Sequence, residues 1–155
     1  MLTHCDFVYA GESAKFQMHF VNLGLIPEFG TSYSAPARFG YLRAAELIML
    51  GQPFDATMAA EIGLVTRVVA DQKLLAIASE TAQKLAEKPA GALQACKKLM
   101  KRASREQLEE AVRIENEEFA ERVRSADAKE AMTAFLEKRP PDFTRTKSLK
   151  AAITF

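Results

Sequence analysis

Residues 23–40 read LGLIPEFGTSYSAPARFG, and residues 44–69 read AAELIMLGQPFDATMAAEIGLVTRVV. In the first stretch, Gly24, Pro27, Gly30, Pro36 and Gly40 interrupt short apolar clusters, which predicts turns rather than a regular element. Leu42 to Leu50 carries helical spacing and stops at Gly51, a residue suited to the left-handed position after a helix. Asp55 predicts the cap of a short helix ending at Gly63, and residues 64–70 predict a strand. Upstream, residues 5–10 predict a strand ended by Gly11, and residues 15–20 a second short one. Downstream, Asp71 opens a helix with Leu74, Ala78 and Leu85 on one stripe, stopped before Pro89. Another helix spans residues 90–103. Ser104 and Gln107 form a capping-box pair at the head of the next helix. There Leu108, Val112, Phe119 and Val123 recur as one apolar seam. A last helix runs to Lys138 and stops at Pro140 and Pro141, leaving residues 144–155 as a loose tail.

At 155 residues the chain has room for one domain, or one domain with a helical appendage. With 48% hydrophobic and 26% charged residues it has a globular balance, which argues against disorder. Lys and Arg number 21 against 20 Asp and Glu, so no basic footprint favours nucleic acid or an anionic membrane surface. No apolar run approaches the ~18 residues of a spanning helix, and the opening MLTHCDFVYAGES lacks the pattern of a signal peptide. Cys5 and Cys96 cannot build a disulfide framework, so a reduced, cytoplasmic setting is expected. Residues 1–70 hold six of the seven glycines and only four of the 21 Lys and Arg, so turns and buried backbone are expected there. Residues 71–143 are charge-rich and nearly free of glycine, as amphipathic helices with one wet face would be. The functional surface is therefore expected in the first segment, and packing or assembly in the second.

Glu28 stands out among the carboxylates. Ile26, Pro27 and Phe29 flank it on a turn bounded by Gly24 and Gly30, and such surroundings strip solvent and raise a carboxyl pKa toward that of a general base. An exposed turn glutamate with inward-facing neighbours fits the same residues. His4, Cys5 and His19 invite a metal or nucleophile reading, but the spacing brings no third or fourth ligand. Neighbouring strand residues also point to opposite faces, which leaves a buried thiol and two ordinary histidines. Lys97, Lys98, Lys101 and Arg102 gather on one helix face, fit either to hold a phosphate or to be solvated. Glu109, Glu110, Glu117, Glu118 and Glu121 read as a solvated acidic face. GESAKF and FGTS hold single glycines and no phosphate-cradling loop.

The two opening stretches, with AFLEKRPPDF at 134–143, resemble the crotonase superfamily of acyl-CoA enzymes over residues 5–143. The resemblance implies an α/β crotonase-like fold, the ClpP/crotonase spiral of ββα units. It is expected here in truncated form, mainly helical with a few short strands. It further implies an acyl-CoA substrate, no separate cofactor or metal, and assembly as a homotrimer or a dimer of trimers. Residues 1–70 would be the edge of the spiral with the active-site turn, and 71–143 the helical oligomerisation region. Enoyl-CoA hydratases share one water between two glutamates. The position matching the second is Phe20, and that matching the first falls just before Met1. The glutamate of PEFG instead resembles the peroxisomal-type Δ3,Δ2-enoyl-CoA isomerases, in which one glutamate shuttles the proton. In that subgroup a proline usually precedes the phenylalanine, where this chain has His19. The resemblance thus implies Glu28 as the catalytic base, with Phe20, Phe29, Phe135 and Lys138 lining the acyl-CoA site. Phe135 and Lys138, three apart, are expected on one helix face, the ring beside adenine and the ammonium on a phosphate.

Members of the superfamily supply both oxyanion-hole N–H groups from ββα turns that precede the matched segment. The resemblance therefore implies that these residues are the C-terminal part of a longer enzyme. Alternatives are a hydratase or other crotonase-type enzyme, and a non-catalytic acyl-CoA-binding or oligomerisation module. Intact mass separates enzyme from module: a species heavier than 17.1 kDa with additional N-terminal sequence is expected, and 17.1 kDa alone supports the module.

Overall fold

Over the described residues the chain builds two short sheets with three α-helices between their strands, and then four further α-helices. The structure, a computed structural model, describes residues 1–146. Strand β1 (Tyr9–Gly11) pairs in parallel with β4 (Arg67–Val69), with Ala10 opposite Val68. Parallel neighbours need a long crossover, and here it contains β2 (Lys15–Phe16), α1 (Thr31–Phe39), α2 (Tyr41–Leu50), β3 (Phe54–Asp55) and α3 (Ala56–Glu61). β2 and β3 are antiparallel, and the rings of Phe16 and Phe54 stack with centroids 5.6 Å apart. Around that pair Val8, Ala10, Leu47, Ala56, Ala59, Leu64 and Val65 close the buried core. After β4 come α4 (Leu74–Ala86), α5 (Ala90–Lys101), α6 (Arg105–Arg122) and α7 (Ala126–Leu136). The chain is mainly helical, and no helix among the described residues is long and apolar enough to cross a membrane.

Several local expectations hold for the physical reason given. Asp55 accepts the N–H of Met58 at 2.9 Å and so caps α3. Gly51, at φ 56°, ends α2 in the left-handed conformation.

Other expectations are corrected. The first strand starts at Tyr9 rather than Cys5, because only Tyr9–Gly11 has a partner and Leu2–His4 forms a 3-10 turn. The second strand is only Lys15–Phe16, matching the two-residue length of β3, and Val21–Leu23 turns as a 3-10 helix. Of residues 64–70, only Arg67–Val69 pair. A 3-10 turn, Asp71–Lys73, precedes α4. The punctuated stretch holds a helix, α1, with Pro36 inside it. An interior proline forfeits a backbone bond and costs roughly 3 kcal/mol, so contacts with α2 and α6 must offset it. No capping box forms: Ser104 Oγ donates back to the Lys101 carbonyl at 3.3 Å, closing the 3-10 turn Arg102–Ser104 ahead of α6. The seam on α6 is half-buried at Leu108, Val112 and Phe119, whereas Val123 is 49% exposed past the end of the helix. Helix α7 stops at Leu136, two residues before Lys138. Residues 144–146 run through the 3-10 turn Phe143–Arg145, where the Thr146 hydroxyl donates to the Asp127 carboxylate. The rest of the expected tail, 147–155, lies outside the described residues.

Helix α7 docks through its smallest side chains. Ala128, Ala131 and Ala134 are buried, and the helix lies against the turn Val21–Leu23. Gly24, at φ 67°, makes the approach possible: a Cβ there would sit 2.7 Å from the backbone N of Ala128. The obstacle is backbone, which cannot swing aside, and the left-handed φ adds strain to any side chain. Gly24→Ala should therefore destabilise the protein by about 2 kcal/mol or more in urea or thermal unfolding. An unchanged midpoint would contradict this packing.

Candidate functional site

The turn between Phe20 and Thr31 carries the candidate base. The N–H of Leu25 donates to the Phe20 carbonyl at 2.9 Å, and Glu28 accepts the N–H of Thr31 on its own carbonyl at 3.1 Å. The Glu28 side chain is half-buried, and among the described residues no hydrogen bond or ion pair engages its carboxylate. Directly after it, Phe29 (φ 57°) and Gly30 (φ 67°) are both left-handed. For phenylalanine that conformation costs on the order of 1–3 kcal/mol and persists only where its surroundings over-determine it.

Those surroundings are specific. Glu115, 3% exposed in the middle of α6, accepts the N–H of Gly30 at 2.5 Å and that of Ser32 at 2.7 Å. Gly30 has no side chain to cap α1, so a carboxylate 85 residues away takes the Gly30 N–H and the Ser32 N–H, an orphan donor of the first turn. His4 Nε2–H donates to the Phe29 carbonyl at 2.6 Å. From the same face of α6 as Glu115, Leu108 and Val112 close on Gly30; a Cβ at Gly30 would lie 2.3 Å from Leu108 Cδ1. Glu115 carries a signal in the sequence, though its partners are not legible there. It lies three residues after Val112 and four before Phe119, inside the apolar seam, where a charged residue needs a reason. His4 was set aside for want of metal-ligand spacing, which says nothing about a hydrogen bond to a distant carbonyl.

The remaining predicted residues are placed differently. Phe20 is half-buried at the head of the 3-10 turn Val21–Leu23, and Phe29 is 53% exposed. Phe135 is 73% exposed near the end of α7, about 10 Å along the axis from the contact of Ala128 with Gly24. Its expected sharing of a helix face with Lys138 is corrected. The N–H groups of Lys138 and Arg139 return to the carbonyls of Phe135 and Ala134 at 3.2 and 3.0 Å, a Schellman closure with Lys138 left-handed at φ 54°. The helical twist is lost before Lys138 is reached. Among the described residues no hydrogen bond or ion pair joins Phe135 or Lys138 to Glu28.

Lys97, Lys98, Lys101 and Arg102 line an open cleft of about 880 Å³ between α5, α1 and the start of α6. Two of these cations already have a partner. Lys97 donates to Asp6, and Lys101 lies 3.3 Å from it, which holds the Asp6 carboxyl below its ordinary value. The acidic face pairs along its own helix, as in Arg113 with Glu110 and Glu117. His19 and both cysteines are exposed, and among the described residues no three metal-ligating side chains converge.

Comparison with known proteins agrees with this picture. The family model described as enoyl-CoA hydratase/isomerase matches residues 1–146. The chain is 38% identical over 139 residues to the 1,2-epoxyphenylacetyl-CoA isomerase of Escherichia coli K12, covering 90% of this chain and 53% of that protein. It is 35% identical over 135 residues to the short-chain-enoyl-CoA hydratase of Clostridium acetobutylicum, covering 87% and 52%. The crystal structure of an enoyl-CoA hydratase/isomerase from Pseudoalteromonas atlantica T6c superposes with a TM-score of 0.88 at 37% identity, over 92% of this chain and 57% of that one. The chain thus spans about half the length of the relatives it matches. A family match over all the described residues and a fold shared at that TM-score and 37% identity lead to one conclusion: the chain belongs to the enoyl-CoA hydratase/isomerase family of the crotonase superfamily.

Proposed function

We propose that this chain carries the catalytic turn of a Δ3,Δ2-enoyl-CoA isomerase, a cytoplasmic enzyme acting on fatty acyl-CoA, and that Glu28 is its single proton shuttle. The observation that carries the reading is the half-buried Glu28 carboxylate, without a hydrogen-bond or ion-pair partner among the described residues, on a turn whose backbone is held by His4 and by helix α6. A base must be free to take a proton yet fixed in place, and this arrangement meets both needs. In the proposed step Glu28 removes a C2 proton from a 3-enoyl thioester. The C–H electron pair enters a dienolate with the negative charge on the thioester oxygen, and when that collapses the C2=C3 bond forms and the former C3=C4 pair takes the same proton back at C4. One carboxylate serves both transfers, and an apolar wall at Phe20 keeps water from the dienolate. The superfamily's oxyanion-hole donors and much of its CoA site precede the matched segment, so this activity belongs to the whole protein. Phe20 and Phe29 would line the acyl site, and Phe135 and Lys138 would meet the CoA moiety from separate positions around the end of α7.

A second reading, enoyl-CoA hydration, is favoured by the similarity to the short-chain-enoyl-CoA hydratase. Against it stands Phe20, which cannot ionise at the position matching the second hydratase glutamate. In the full-length protein Glu28→Gln should lower 3-enoyl-CoA isomerisation by ~10²–10⁴-fold, the usual worth of positioned proton transfer. The Michaelis constant should change little, since the side chain acts mainly in the transition state. Full retained isomerisation would remove the role, and strong crotonyl-CoA hydration by the unmodified protein would favour the second reading.

Assembly as a trimer or dimer of trimers is part of the same proposal, with residues 71–143 as the associating region. Leu75 on α4, Leu99 and Met100 on α5, and Leu136 on α7 are exposed, apolar surface of the kind a neighbouring subunit covers. Light scattering at micromolar concentration should give a multiple of the subunit mass; a monomer would contradict it.

A further inference from the structure

We infer that Glu115 is a positioning residue for the reaction: its carboxylate pins the left-handed turn Phe29–Gly30 and thereby aims Glu28. The inference rests on the reading of Glu28 as the base. Glu115 lies 3% exposed in the apolar seam of α6, and both of its oxygens are committed, Oε2 to the N–H of Gly30 and Oε1 to that of Ser32. A carboxylate kept solely for packing would be a poor choice there, since an apolar side chain fills the same space without losing hydration. What Glu115 supplies that an apolar residue cannot is a pair of acceptors at fixed separation. They fix the peptide planes at Gly30 and Ser32, two and four residues from Glu28.

The turn has need of such a hold. Phe29 is left-handed at φ 57° and would relax to an ordinary conformation if its neighbours released it. Three contacts prevent this: His4 holds the Phe29 carbonyl, Leu108 and Val112 fill the space where a Gly30 side chain would stand, and Glu115 holds the next N–H groups. Two of the three come from α6, so the aim of the base on one side of the molecule is set by the register of a helix far along the chain. A misplacement of about 1 Å from a site away from the chemistry can cost ~10²-fold in rate.

The test uses the full-length protein with Glu115→Gln, Glu28→Gln and the double variant. Glutamine keeps the length and one acceptor but turns an NH₂ toward the other N–H. Hydrogen exchange at the Gly30 and Ser32 amides should quicken by ~10-fold or more, with the amides of β1 and β4 unchanged. The kcat for 3-enoyl-CoA should fall by ~10–10²-fold with KM within about twofold. The double variant should be no slower than Glu28→Gln alone, because Glu115 acts through Glu28, whereas general damage to the fold would add. Glu115→Asp keeps the charge but withdraws the oxygens by one methylene. It serves as the second variant if the glutamine protein does not fold: its kcat should also fall, and full kcat would overturn the role. Unchanged amide exchange in Glu115→Gln overturns the clamp. Full turnover of Glu115→Gln beside a crippled Glu28→Gln overturns the positioning role alone, whereas full turnover of Glu28→Gln removes the base assignment and this role with it.

Discussion

A carboxylate buried in the middle of a helix has to be answered by donors, and the answer organises this molecule. Glu115 receives the N–H groups of Gly30 and Ser32, the first of them at 2.5 Å. Bonds to a charged acceptor are each worth roughly 1.5–3 kcal/mol, and losing the acceptor would leave buried donors unsatisfied. The positive end of α1 adds to the attraction. Because Leu108 and Val112 share a helix face with Glu115, this one placement sets the register of α6. It also favours glycine at residue 30, where the left-handed φ of 67° strains any side chain and a Cβ would displace Leu108 Cδ1. The start of α1 and the turn before it are thereby tied to an element about 85 positions later in the chain.

The rest of the architecture leaves that turn accessible. The core of Val8, Ala10, Leu47, Phe54 and the α3 alanines lies on the sheets and does not engulf Glu28. Helix α7 approaches from another side through alanines against Gly24. Beyond the core, α4 and α5 bury no residue fully and present exposed leucines. Such helices gain little from this chain alone, which accords with an element that completes its packing against other protein. Tight control of a few backbone groups, combined with generous exposure elsewhere, fits the proposed roles of catalytic turn and associating helices.

The site was partly legible in the residues. The carboxylate at Glu28, flanked by apolar residues and glycines, is visible as a candidate, and the departure at Phe20 bears on the proposed chemistry. Glu115 and His4 were not recognised as its supports. Each acts through hydrogen bonds to backbone groups many positions away, and a backbone donor or acceptor has no signature in the residue type that carries it. The paired reading of Phe135 and Lys138 failed for a local reason: a Schellman closure usually has glycine at its left-handed position, and a lysine there gives no warning that the helix has ended. The capping box at Ser104 failed similarly, because the hydroxyl found a closer acceptor in the 3-10 turn before α6.

Local chemistry determined what lies within a turn or two of its own cause. The stop at Gly51, the cap at Asp55, the break before Pro89 and the helical period of residues 105–122 all follow from side chains acting on their near neighbours. Tertiary structure decided what local preference opposed or left open. Pro36 and the surrounding glycines argue against a helix, yet α1 forms because Glu115 takes the Ser32 N–H of its first turn and α2 and α6 pack along it. Phe29 argues against a left-handed backbone, yet it adopts one because its carbonyl and the next N–H are both held. In each case contacts distant in sequence outweigh a penalty of a few kcal/mol set by the residue itself, and no local pattern records those contacts.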